Sequence, residues 1–254
     1  MEKYKLLVLM NYNDNKECLV DTLNNIFSMN DSVCVIINNG TNESLVDITN
    51  NKVHVVQRSV PFDRFDTMIP LHLELYDYIK TNNIKSDMVL MMATNQAFVN
   101  KGFYEWSQQY KGAFFEREVD QGCIRDLMFV PTFTRYFREI GPHNFMYQTN
   151  HDGCFFHYSD FMEMMNYLEG YRNTKIIHHN EEFIYVAYLI SKYGNEQLAP
   201  FGHYNYWTHN WWCGGPNLTI EEVKQCVEDG IFLVKRVERD MTDPVRTYIR
   251  ENIK

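Results

Sequence analysis

The sequence lacks several features that would each point to a particular class of protein. It contains no run of about 18 apolar residues, so no transmembrane helix is expected. Its 24 basic residues are outnumbered by 33 acidic ones, which gives a formal net charge of -9. A chain with this charge repels polyanions unless its basic residues cluster, so nucleic acid is not expected as a partner.

Cysteine pairs with a metal-binding or redox spacing are also missing. The six cysteines are far apart, and none forms a C-x-x-C motif. We interpret them as reduced core residues, with a disulfide framework or a zinc site as the less favoured alternative. An amino terminus that leads straight into a predicted strand adds to the expectation of a cytoplasmic protein. The six are Cys18, Cys34, Cys123, Cys154, Cys213 and Cys226.

The sequence does contain enough apolar material for a folded core. Of its 254 residues, 45% are hydrophobic and 15% are aromatic, which argues against disorder. No linker, repeat or low-complexity segment interrupts the chain. We therefore predict a single domain over residues 1–254, built from a half at 1–100 and a second half at 101–254.

Four short apolar runs predict buried parallel strands. They cover residues 6–10, 33–37, 53–56 and 88–92, and helix-period patterns follow the first and the third. Right-handed crossovers make such strands neighbours in one sheet. We therefore predict an α/β fold with a Rossmann-like, mostly parallel sheet flanked by helices. No G-x-G-x-x-G follows the first strand, so a dinucleotide fingerprint is absent.

Polar side chains follow these strands at the edge where open α/β sheets bind ligands. Asn11 and Tyr12 end the first strand, Asn39 ends the second, and Thr94 and Asn95 follow the fourth. These five are candidate ligand-binding residues.

The turn after the fourth strand also lacks a carboxylate. Nucleotide-sugar transferases commonly carry a D-x-D pair here that holds a divalent metal, whereas this chain has Ala93-Thr94-Asn95-Gln96. Mg²⁺ and Mn²⁺ prefer hard anionic oxygen ligands, so the usual metal site is not predicted.

A cluster of positive charge near the end of the chain is the candidate substitute for a metal. Lys235, Arg236 and Arg239 stand close together in an otherwise acidic chain, and fixed cations can stabilise a departing diphosphate. The alternative is a solvated basic stretch that pairs with Glu238 and Asp240.

Glu181 and Glu182 are candidate general bases. They follow a possible N-cap, Asn180, and begin a helix-period pattern. The alternative is that they only complement the helix dipole, as acidic residues in a first turn often do. Three tryptophans between residues 204 and 212 are either a sugar-stacking platform or a hydrophobic seam.

The order of several short motifs resembles one family of enzymes. The family is that of the metal-independent GT-A glycosyltransferases that include the branching N-acetylglucosaminyltransferases and peptide O-xylosyltransferases. The motifs are the helix after Asp66-Thr67, the strand Asp87-Met88-Val89-Leu90-Met91-Met92, Phe155-Phe156-His157-Tyr158-Ser159, Asn180-Glu181-Glu182-Phe183, Tyr206-Trp207 and Phe232-Leu233-Val234-Lys235. The resemblance implies a GT-A-like fold with a smaller acceptor-side lobe.

The resemblance also implies roles for particular residues. In that family the acidic pair supplies the catalytic base, which corresponds to Glu182 with Glu181 as its neighbour. A late basic residue contacts the diphosphate, which corresponds to Lys235. The family's Ser-Gly-x-Asp turn is replaced here by residues 93–96, so its sugar and acceptor preferences do not carry over.

The resulting hypothesis is an inverting, metal-independent glycosyltransferase without a cofactor. Its donor would be a nucleoside-diphosphate sugar, expected to be a UDP-sugar, and its acceptor a hydroxyl of a glycan or glycoconjugate in polysaccharide biosynthesis. Asn11, Tyr12 and Asn39 would hold the base and ribose, with residues 1–100 as the nucleotide-binding half. Thr94 and Asn95 would face the sugar.

Two further carboxylates and two rival functions complete the expectations. Asp152 is an acceptor-side catalytic candidate, and Asp66 is a donor-side candidate. One rival is a non-catalytic carbohydrate-binding protein of the same fold. The other is a retaining or metal-dependent transferase in which Asp63 or Asp66 binds the metal.

Overall fold

The computed structural model describes residues 3–59, 68–114, 152–172, 181–207 and 217–253. The strands are β1 Lys3–Tyr12, β2 Val33–Asn39, β3 Val53–Gln57, β4 Lys85–Ala93, β5 Gln96–Phe98, β6 Ala113–Phe114, β7 Phe155–His157, β8 Ala199–Pro200, β9 Asn205–Tyr206 and β10 Leu233–Lys235. The α-helices are α1 Lys16–Met29, α2 Ile69–Thr81, α3 Phe103–Ser107, α4 Tyr158–Leu168, α5 Glu181–Tyr193, α6 Ile220–Glu228 and α7 Pro244–Asn252.

A five-stranded sheet forms the centre of the described structure. Its order is β3-β2-β1-β4-β7, and every neighbouring pair is parallel except β4 with β7. Residues of β1, β2 and β4 are buried in continuous runs because helices cover the sheet, which is why their sequences are apolar without alternation. The predicted α/β fold with a mostly parallel sheet is confirmed.

Local capping signals set the ends of several helices. Thr219 and Glu222 form a capping box at the start of α6, and the Asp243 side chain accepts a hydrogen bond from the backbone N–H of Arg246 at the start of α7. β7 runs directly into α4, whose N-cap is His157, so Ser159 lies inside the helix.

A smaller sheet brings the end of the chain beside the central one. Its order is β5-β10-β9, with Lys235 of β10 opposite Gln96 of β5. Since β5 follows β4 after the two-residue turn at 94–95, the late basic segment lies at the carboxyl end of β4. The one large apolar core reaches from β1 to β10 in the described residues, and a smaller cluster packs β10 against α6 and α7.

Two expectations about composition can be compared with the structure. The cysteines at positions 18, 34, 154 and 226 are buried and not bonded to another sulfur, while Cys123 and Cys213 lie outside the described residues. None of the helices in the described ranges has the length and apolar character needed to cross a bilayer.

Candidate active site

The residues at the ends of β1 and β2 hold the loop that follows β2. Asn39 donates to the backbone oxygen of Glu43 (2.9 Å) and accepts from the backbone and hydroxyl of Thr41 (3.0 and 2.9 Å). Tyr12 has no exposed surface and donates its hydroxyl to Glu43 (3.1 Å); burial, aided by Glu43, raises the pKa of Tyr12. Contact of either residue with a nucleotide requires this loop to move, so their assignment to base and ribose stays a prediction.

Asn11 belongs to a buried polar chain that joins the end of β1 to α5. Its Nδ2 lies 3.2 Å from Nε2 of His72, whose Nδ1 lies 2.5 Å from the hydroxyl of Tyr185. If the Asn11 amide donates, Nε2 accepts and Nδ1 carries the proton shared with Tyr185. The amide oxygen of Asn11 is buried and has no partner among the described residues. The role of Asn11 in nucleotide binding therefore stays a prediction.

The two glutamates that begin α5 have different surroundings. Glu181 is fully buried and accepts a hydrogen bond from the backbone N–H of Met68, just before α2 (3.1 Å). Glu182 is 8% exposed, and its charge acts on the Lys235 ammonium, whose pKa it raises. Glu181 therefore links the start of α5 to the start of α2, whereas the charge of Glu182 acts on Lys235.

Lys235 is at the centre of the candidate site. It is 8% exposed, forms an ion pair with Asp152, and its ammonium lies 4.6 Å from the ring centroid of Trp207. Burial lowers the pKa of Lys235; Asp152 and Glu182 oppose this shift, and Arg239 reinforces it. Lys235 is therefore a largely buried side chain that pairs with Asp152 and lies over an aromatic ring.

A rigid glycine turn places Asp152 beside that lysine. The backbone N–H of Gly153 donates to Met91 of β4 (2.7 Å), and its carbonyl accepts from the Tyr204 hydroxyl (2.9 Å). Gly153 has a φ of +94°, and a Cβ atom there would lie 1.9 Å from Nδ2 of Asn205. Only glycine combines this conformation with such a close neighbour.

The turn after β4 is tied to both ends of the chain. The Thr94 hydroxyl donates to Asp14 (2.9 Å), and Nε of Arg239 lies 2.5 Å from the same carboxylate oxygen. The backbone oxygen of Asn95 accepts from the N–H groups of Arg236 (3.0 Å) and Val237 (3.1 Å). Arg236 has a φ of +76°, so the chain turns sharply directly after Lys235.

The structure therefore brings together some of the predicted site residues that it describes. Asp152 pairs with Lys235, the charges of Glu182 and Arg239 act on that lysine, and Arg239 and Thr94 both bind Asp14. Asp66, the rival metal ligand Asp63, and Trp211 and Trp212 lie outside the described residues.

Sequence reasoning missed three residues at this edge of the sheet. Asp14 could have been found as the carboxylate nearest the end of β1. Arg58 follows β3 and donates to Asn38 (3.2 Å) and Asn13 (2.9 Å). His72 had no usable signal, because its pattern is that of an ordinary core position of α2.

No group of three His, Cys, Asp or Glu side chains among the described residues is placed to hold a cation. Asp14 and Asp152, the carboxylates nearest the turn after β4, both pair with basic side chains.

Comparisons with known proteins extend this picture of the fold. Neither protein-family models nor curated protein sequences give a match. Among solved structures, an active-site mutant of LgtC matches with a TM-score of 0.50 and 11% identity, over 96% of this chain and 94% of that one. LgtC, a galactosyltransferase, in complex with donor and acceptor sugar analogs gives a TM-score of 0.48 over the same shares at 11% identity.

A third match is to a larger protein. WbbM, a bifunctional glycosyltransferase, matches with a TM-score of 0.48 and 11% identity over 97% of this chain, which spans 51% of the WbbM chain. The chain thus has the GT-A glycosyltransferase fold. The likeness does not single out the branching N-acetylglucosaminyltransferase and peptide O-xylosyltransferase family.

Proposed function

We propose that this protein is a glycosyltransferase that moves a sugar from a nucleoside-diphosphate sugar to a hydroxyl group of a glycan or glycoconjugate. The observation that carries the proposal is the convergence of Asp152, Glu182, Lys235 and Arg239, from separate segments, at the carboxyl end of β4. In an open α/β sheet this is the edge where ligands bind. The GT-A fold supports the same class of reaction.

Lys235 and Arg239 would stabilise the departing diphosphate. As the bond from the anomeric carbon to the diphosphate oxygen breaks, negative charge grows on that oxygen. A buried ammonium stabilises such charge more strongly than an exposed one, because little water screens it. Lys235 meets this condition, and Arg239, which is half exposed, adds a second cation beside it. This arrangement supports a metal-independent reaction.

Glu182 would act as the general base. The acceptor oxygen attacks the anomeric carbon from the face opposite the leaving group, so the configuration inverts, and its proton passes to the carboxylate. Glu182 is better placed than Glu181, which already accepts the N–H of Met68. Asp152 is engaged by Lys235, which supports a role in holding that cation more than one as a second base.

The donor and acceptor can be proposed only by class. A UDP-sugar is our first expectation, with Asn11 as the described residue whose buried amide oxygen is available to a base or ribose donor. Asn95, whose amide oxygen is likewise buried without a partner in the described ranges, is the counterpart for a sugar hydroxyl.

The test compares two isosteric variants, Glu182→Gln and Glu181→Gln. Transfer or hydrolysis is measured over a panel of nucleotide sugars, with excess EDTA and with Mn²⁺. We expect Glu182→Gln to lower turnover by about 10²-fold or more while it binds UDP normally, since general-base catalysis contributes that much. Glu181→Gln should lower thermal stability and retain more activity.

Three results would count against the proposal. Near-normal turnover by Glu182→Gln excludes it as the base. Activity that EDTA abolishes and Mn²⁺ restores contradicts metal independence. Glycan binding without affinity for any nucleotide, measured by calorimetry, favours the non-catalytic carbohydrate-binding protein instead.

A further inference from the structure

A cavity separate from the candidate active site lies between α1, β5 and α7. Its volume is about 290 Å³. The polar side of the lining is formed by Asp21, Asn24, Asn25, Ser28, Arg246 and Arg250. The apolar side is formed by Ala97, Val237, Ile249 and Ile253. The volume is at the lower limit of ligand pockets, so it suits a molecule much smaller than a nucleotide sugar.

Arg246 is the unusual group in this lining. It is only 3% exposed, although a guanidinium carries five N–H donors that each need an acceptor when buried. Nε donates to the backbone oxygen of Glu238 (2.9 Å), and Nη1 donates to Asp21 (2.9 Å). Nη2 is buried and has no acceptor among the described residues. Leaving a charged donor unsatisfied is costly, so an acceptor from outside the protein is expected at Nη2.

The charges of the lining indicate what that acceptor is. Asp21 is the one carboxylate among the lining residues, and it faces Arg246 and also Arg250, whose Nη1 is 3.7 Å away. Two guanidinium groups share one carboxylate, which leaves one positive charge unbalanced. Guanidinium groups bind carboxylate and phosphate oxygens with matched geometry.

We propose that this cavity binds a small molecule with an oxyanion head, a carboxylate or a phosphate monoester, and a compact apolar body. The head accepts from Nη2 of Arg246, and the body packs against the apolar side of the lining. This proposal does not depend on the proposed transferase activity. The residues on which it rests lie outside the candidate active site.

The cavity also lies behind the turn after β4. The Thr22 hydroxyl, which lies 3.5 Å from Nη1 of Arg246, donates to the backbone oxygen of Thr94 (3.1 Å). An occupant of the cavity therefore lies one side chain away from the turn that holds Asp14 and Arg239.

Titration calorimetry on the full chain at constant ionic strength tests the proposal. The probes are phenyl phosphate, benzoate and inorganic phosphate, with benzyl alcohol as the uncharged control. We expect one aromatic anion to bind saturably and about tenfold or more tighter than benzyl alcohol, a difference of about 1.4 kcal/mol. Phenyl phosphate against benzoate then distinguishes a phosphate head from a carboxylate, and inorganic phosphate reports the head alone.

Two variants and one control locate the binding. Arg246→Gln removes Nη2, and Asn24→Trp fills the mouth of the cavity from the exposed face of α1 without altering Arg246. Both should abolish binding of the anion, whereas Thr81→Trp, at the exposed end of α2, should not. If Arg246→Gln does not fold, the binding measured with Asn24→Trp tests the location by itself.

Absence of saturable binding by every anion overturns the proposal, as does binding that survives Asn24→Trp. UDP binding and sugar transfer are measured on the same samples. If the aromatic anions do not bind but UDP binding and transfer are observed, only the cavity proposal fails. If the anions bind but UDP binding and transfer are absent, only the proposed function fails.

Discussion

The ion pair between Asp152 and Lys235 permits a quantitative test of the candidate site. The Asp152 side chain is 19% exposed and that of Lys235 is 10% exposed, so both charges are largely removed from water. Breaking a buried pair leaves one charge uncompensated, whereas replacing both partners is often close to neutral. Asp152→Asn, Lys235→Met and the double variant therefore form a thermodynamic cycle.

The structure sets the expected magnitudes. Removing one partner of a buried pair costs about 3–5 kcal/mol, and the residual exposure of Asp152 reduces this to about 2–3 kcal/mol in each single variant. Lys235→Met also loses the contact with the ring of Trp207, worth about 1 kcal/mol. The double variant carries neither charge, so we expect it to be no less stable than Lys235→Met alone. The coupling energy is then about 2 kcal/mol.

Urea unfolding followed by tryptophan fluorescence measures these free energies, with constant m-values as the check on two-state behaviour. Losses in the single variants that add up in the double variant would refute the reasoning, because they would mean that the two charges do not interact. Sugar transfer by the double variant should stay low even where its stability recovers, since Lys235 is absent.

Three further predictions concern pH, a glycine and a helix cap. Burial lowers the pKa of Lys235, so between this lowered pKa and the ordinary lysine pKa the unfolded state binds more protons than the folded state. The stability of the fold should therefore rise with pH in that window. Sugar transfer should fall there, because it needs the protonated ammonium. A pH profile of transfer that stays flat up to the ordinary lysine range contradicts this. Gly153→Ala should lose about 2 kcal/mol or more, from its positive φ and the contact with Asn205, whereas Gly170→Ala, with nothing within 4 Å, is the near-neutral control in the same thermal melts. Thr219→Ala should lose about 1 kcal/mol of unfolding free energy in urea titrations, because it removes the capping box of α6; an unchanged midpoint would show that the cap contributes nothing.

Local sequence patterns were sufficient to predict the elements that are surrounded by the same environment on all sides or that depend only on neighbouring residues. The run at 88–92 is apolar at every position because both faces of β4 are covered, and the caps at Thr219 and Asp243 act within three residues of themselves.

Long-range contacts were beyond such reasoning. Asp152 meets Lys235 across 83 residues, and Asp14 meets Thr94 across 80. No local pattern around any of these residues indicates which distant side chain it will contact. Burial was also beyond such reasoning. Tyr12 was predicted to bind a ligand at a strand end, but its side chain is fully buried and hydrogen-bonded to Glu43.

The sequence by itself determined the buried strands and their parallel arrangement, because apolar runs and helix signals act over neighbouring residues. Only the tertiary structure decided that Glu181 is bound at the start of α2. It also decided that Lys235 is buried and paired with Asp152. Burial and pairing are properties of how distant segments pack, so they exist only once the β5-β10-β9 sheet has closed against β4.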